Sequence, residues 1–147
     1  MTQQGDILLY QTDDGGEINI ENGIIEMSGG LGTAVYLSLF GGNEDDDNRD
    51  NNIYKWWANF NETDNIYKFN SETQNLLQSL PATAANLRRI EDAVKRDLVW
   101  LTDQKIATTI NVSVNITGLN RIKISVKIEA YGTISDFEYV ENWKAGK

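Results

Sequence analysis

The densest cluster of reactive side chains is the run of acids and amides from Asn43 to Asn52, whose oxygens are the ligands a hard cation takes. An EF-hand loop begun at Asp46 places Asn48 and Asp50 correctly. It then demands glycine where Asn51 stands and a bidentate glutamate where Trp57 stands. The motif fails. Like charges this close repel and resist burial, so a solvated surface loop is expected, with a cation site of another geometry as the alternative. Trp56 and Trp57 follow directly, near Ile53, Tyr54 and Phe60. Adjacent tryptophans on a strand cannot both point inward, so one is expected in the core and the other on a contact patch. Such a patch suits a sugar or a protein partner.

Other chemistries are ruled out by composition. The chain has no cysteine and no histidine, which excludes disulfides, thiolate nucleophiles, the Ser-His-Asp triad and most transition-metal sites. Glycoside hydrolysis remains open to a chain with 22 acidic residues, because it needs only two carboxylates in a cleft, one with a raised pKa. Glu26 and Asp103 alone have apolar neighbours fit for a proton donor. A net charge of −9 opposes phosphate backbones, so no nucleic-acid partner is expected. The N-terminus has no basic, apolar leader and no apolar run reaches the length of a membrane span, so no membrane partner and a cytoplasmic site of synthesis are expected. No cofactor or metal is called for.

The elements that position these residues fit one α+β domain of 147 residues. Positions 1–28 read as a small N-terminal β-meander, with turns at Asp13-Asp14-Gly15-Gly16 and Glu21-Asn22-Gly23. Within 29–60 fall a short helix from Leu31 to Phe40, with Leu31, Val35 and Leu39 on one face and Gly41-Gly42 at its end, then the acidic loop and the tryptophan pair. Helices fill 71–103. Ser71 and Gln74 form a capping box, Pro81 stops the first helix and opens a second, and Leu87, Ile90, Val94, Leu98 and Leu101 make an apolar stripe. Glu91 with Lys95, and Asp92 with Arg96, are spaced to pair along its outer side. The antiparallel meander over 106–143 alternates apolar and polar residues, first from Ile110 to Ile116 and then from Ile122 to Ile128. A third strand follows at Ile134–Trp143. The long helix is the natural lid for the apolar face.

The stretch from Gly30 to Phe40, the acidic loop and Trp56-Trp57 together resemble a signature of the Mu-like baseplate wedge proteins of contractile-tailed phages and prophages. There a helix reading roughly L-x-T-A-V-x-x-S-L-F precedes an acidic loop and G-W-W; here Lys55 replaces the glycine. Asp6-Ile7 matches as well, as does Val99 to Ala107, with Gln104-Lys105 where the family has Asp-Gly. The resemblance implies a structural, non-enzymatic subunit of the virion tail baseplate, assembled in the host cytoplasm and present in sixfold copies. Its partners would be other wedge proteins and the tail sheath, joined by strand addition at exposed sheet edges. Trp56, Trp57, Phe137, Tyr139 and Trp143 are the candidate partner contacts. The alternatives are a lysozyme-like glycosidase of the tail and a carbohydrate- or ion-binding module.

Overall fold

The computed structural model describes residues 6–7, 9–12, 15–18, 20–25, 27–28, 31–42 and 69–143. The N-terminal strands nest as three antiparallel pairs. β1 (Asp6–Ile7) pairs with β6 (Met27–Ser28), β2 (Leu9–Thr12) with β3 (Gly15–Ile18), and β4 (Ile20–Glu21) with β5 (Ile24–Ile25). Asn22 and Gly23 both adopt positive φ, 53° and 76°, the mirror-image turn that the Asn-Gly pair announces. Gly15 and Gly16 prove to be strand rather than turn, paired with Thr12 and Gln11. The tryptophan pair and the acidic run lie outside the described residues.

Three helices follow. α1 spans Leu31–Phe40, as its spacing predicts, and buries Thr33, Val35 and Leu39. A Cβ at Gly41 would sit 2.4 Å from the Leu37 carbonyl, so only glycine closes this helix. α2 spans Glu72–Ser79, capped by the Ser71 hydroxyl, which accepts from the Gln74 N–H at 3.0 Å. α3 runs Ala84–Asp103. Pro81 does not open it; Thr83 caps it, accepting from the Asn86 N–H at 3.2 Å, because a hydroxyl satisfies a free amide that proline cannot. Its stripe holds, with Ile90, Val94, Leu98 and Leu101 buried and Leu87 against their edge. Glu91 and Lys95 pair at 2.8 Å. Arg96 bypasses Asp92 and grips Glu72 of α2 with two hydrogen bonds, at 2.6 and 2.7 Å, since a planar guanidinium gains more from a bidentate partner.

α3 ends in a Schellman turn. The Ile106 N–H reaches the Leu101 carbonyl (2.8 Å) and the Lys105 N–H the Thr102 carbonyl (3.0 Å), which forces Lys105 to φ 60°. The chain then enters a three-stranded antiparallel sheet in the order β7 (Thr109–Gly118), β8 (Arg121–Ala130), β9 (Thr133–Asn142). Its core face carries Val112, Val114, Ile122, Ile124, Val126 and Ile128, continuing on β9 as Phe137 and Tyr139. The central strand is fully covered: Ile122, Ile124 and Ile128 have no exposed surface. Each such side chain contributes about 1.5–3 kcal/mol.

The cover is not one helix but two. α3 packs against β7, while α1 reaches β9 through its aromatics: Tyr36 and Phe40 meet the Tyr139 ring at 6.1 and 5.3 Å. A single helix is too narrow for three strands spaced about 4.8 Å apart. The helices are themselves tied, because the Trp100 indole N–H donates to the Ser38 hydroxyl at 2.9 Å.

Candidate functional site

In a chain without histidine or cysteine the carboxylates are the residues best able to do chemistry. Asp103 is exposed at the end of α3, and Glu26 lies outside the described residues. Asp97 is partly buried on α3, and burial raises its pKa. Its oxygens accept from the backbone N–H groups of Glu72 (3.1 Å) and Thr73 (2.8 Å), which moderates that rise. It is thus a cap, supplied by α3 to the start of α2. Glu72 titrates lower than usual because Arg96 hydrogen-bonds it. Both acids are occupied by structural work. Among the described residues no group of acids is arranged to hold a metal ion, and no helix is long and apolar enough to cross a membrane.

The solvent face of the sheet forms an open trough of about 460 Å³, bordered by Asn111, Ser113, Ser125, Lys127, Asp136 and Glu138. Its acids are neutralised across strands, Lys127 to Asp136 at 3.9 Å and Lys123 to Glu138 at 3.3 Å, and these side chains stay largely exposed.

The unusual feature is the rim of β7. Its bonding phase follows from one contact: the Trp143 N–H donates to the Asn120 carbonyl at 2.8 Å. In an antiparallel ladder both backbone groups of a residue face the same neighbour, and the direction alternates along the strand. Asn120 faces β9, so Ile122, Ile124, Val126 and Ile128 do too. Lys123, Ser125, Lys127 and Glu129 then turn to β7, opposite Asn115, Ser113, Asn111 and Thr109. The backbone groups of Ile110, Val112, Val114 and Ile116 point the other way, off the sheet. Among the described residues no backbone hydrogen bond meets them.

The strand itself carries no protection. β7 is ten residues long and contains no charge and no proline, the two devices that ordinarily blunt an edge. Its apolar side is covered unevenly: Val114 is buried, Ile110 and Val112 are half-buried and Ile116 is 45% exposed.

The sequence-derived contact residues fare differently. Trp56 and Trp57 lie outside the described residues. Trp143 is 0% exposed, its indole N–H donating to the Leu80 carbonyl at 2.8 Å, and Tyr139 is buried between the α1 aromatics. Phe137 is half-buried, its ring 3.4 Å from where a Cβ on Gly32 would stand. Strand alternation places Phe137 and Tyr139 on the core face beside Val126 and Ile124; Tyr139 and Trp143 are buried there as packing residues, whereas Phe137 keeps part of its ring exposed. The β7 positions were missed, although a signal was present: no charged residue occurs from Ile106 to Asn120.

No family model matches the chain, and no curated protein or solved structure matches it either.

Proposed function

We propose that this chain is an assembly protein, a structural subunit of a contractile phage or prophage tail baseplate that bridges wedge and sheath by protein-protein contacts, strand addition at a sheet edge among them. The observation that carries the reading is the rim of β7, where alternate residues turn N–H and C=O groups off the sheet that no described residue meets, with no charge on the strand to repel an incoming one. The tail assignment rests on the resemblance of Gly30–Phe40, the acidic loop and Trp56-Trp57, with Asp6-Ile7 and Val99–Ala107, to the Mu-like wedge proteins. On this reading it stands in the virion tail in multiple, sixfold copies and works through contacts rather than catalysis.

The test is Val112→Pro in the phage or prophage that encodes the chain. Proline removes an N–H that points off the sheet, so the isolated protein keeps its far-UV circular dichroism while its rim can no longer pair. Tails lacking an attached sheath are expected in electron micrographs. Normal infectious particles overturn the proposal.

A further inference from the structure

β7 is a palindrome. Thr109–Thr117 reads TINVSVNIT in either direction. An antiparallel pair of identical strands related by a two-fold axis through Ser113 sets Asn111 against Asn115, Val112 against Val114, Ile110 against Ile116 and Thr109 against Thr117. Every residue meets its own kind. We propose that the partner for this edge is a second copy of the same chain, giving an isologous dimer with one continuous sheet; the proposal rests on the reading of β7 as an assembly edge.

The hydrogen-bond phase fits. The residues whose backbone groups point off the sheet are Ile110, Val112, Val114 and Ile116, and rotation about Ser113 maps this set onto itself. Each outward N–H of one copy therefore meets an outward C=O of the other, and none is left over. Ser113 bonds toward β8, so it faces its symmetry mate as a non-hydrogen-bonded pair, the geometry in which side chains come closest. A two-fold also keeps faces in register. The half-covered Ile110 and Val112 join Ile116 and Val114 of the second copy in one apolar layer, and the asparagines line up on the wet side, where carboxamides bond to one another.

Charge does not oppose the seam. Although each chain carries −9, β7 is neutral, and the nearest charged row on the wet face, Lys123 and Lys127 of β8, is three strand spacings from its counterpart. That is about 14 Å, beyond the screening length of about 8 Å at physiological salt. On the helical side, Asp97 and Trp100 face α2 and α1, so the opposite flank of α3, with Arg88, Glu91, Lys95 and the exposed Val99, lies toward the seam.

Cysteine crosslinking decides the matter cleanly, because the chain has no cysteine of its own. In the full-length protein, mild oxidation of Ser113→Cys should give a disulfide-linked dimer, the Cα separation of such a pair lying inside the disulfide range. Asn111→Cys alone should not crosslink, since two copies of position 111 lie four residues out of register, about 13 Å apart. The same holds for Asn115→Cys, yet a mixture of the two should form the mixed disulfide. Light scattering should give the mass of two chains for the unmodified protein and of one chain for Ser113→Lys, which places like charges face to face on an exposed position without touching the core. A monomeric parent with no 113–113 disulfide overturns the dimer, as does equal crosslinking at all three positions. If that happens while Val112→Pro still blocks sheath attachment, the edge serves another polypeptide. A 113–113 disulfide together with normal Val112→Pro tails leaves the dimer standing and removes the baseplate reading.

Discussion

The two edges of the sheet, β7 and β9, are equally long and differ in almost everything else. β9 carries Asp136, Glu138 and Glu141, two of them answered by lysines on the central strand, and its core face is gripped by the aromatics of α1. Where it ends, Trp143 locks it to both neighbours through the Asn120 and Leu80 carbonyls. β7 has neither charge nor lock. Hydrophobicity does not separate them, for Ile134 and Val140 are as exposed on β9 as Ile116 is on β7. What marks an edge as closed is charge on it, and what marks one as available is a run of strand-forming residues left without any.

Trp143→Ala is the strongest way to break the closed edge. The residue is the bulkiest of the fully buried side chains, and its loss removes both a large packing contribution and the donor to Leu80. A fall of about 3–5 kcal/mol in unfolding free energy is expected by urea titration. A loss under about 1 kcal/mol would show that β9 is held by its lysine pairs instead, contrary to the small worth of exposed ion pairs.

This contrast was half legible in the sequence. Alternation at Ile110–Ile116 and Ile122–Ile128 foretold the strands and their faces, and the spacing of Ile90, Val94, Leu98 and Leu101 foretold the covering helix, because periodicity reports directly on burial. Asn22-Gly23 foretold its turn. Pairwise partners were not legible. Arg96 had two acids within reach, and only the placement of α2 selects Glu72. Aromatics on β9 looked like contact residues, but register with β8 fixes which face they occupy. Asp97 gave no sign of its role, since a carboxylate capping a helix 25 positions away has no local signature.

Asp97→Ala addresses the scaffold behind the closed edge, and its effect should be smaller. It leaves the Glu72 and Thr73 amides without their acceptor, a loss of about 1–3 kcal/mol. Its titration has a definite sign. Burial raises the pKa, so the folded state holds the proton more tightly than the unfolded chain does. The Asp97 contribution to stability is therefore full below the usual aspartate range and declines as pH rises through the folded pKa. Glu72, lowered by Arg96, runs the opposite way and loses stability as pH falls. Comparing the parent with Asp97→Asn between pH 3 and 7 isolates the first slope. A stability difference that is flat across that window would mean that the backbone hydrogen bonds fully offset burial.

The smallest expected effect lies at the β8–β9 turn, where closure has been achieved with a costly residue. Tyr131 sits at φ 53° beside Gly132 at φ 75°, a mirror-image turn that favours Asn-Gly, and its ring is 85% exposed at the rim of an apolar hollow of about 370 Å³ lined by Leu31, Trp100 and Ile106. Relieving the left-handed conformation with Tyr131→Asn should raise stability by about 0.5–1 kcal/mol, seen as a higher urea midpoint at unchanged slope. Lys105→Gly, at φ 60° in the Schellman turn before β7, should gain a similar amount for the same reason, and it serves as the control. If Lys105→Gly stabilises and Tyr131→Asn does not, the tyrosine ring contributes packing over the hollow that offsets its backbone strain. The β9 side would then be secured at its turn as well as at its end, which sharpens the contrast with β7.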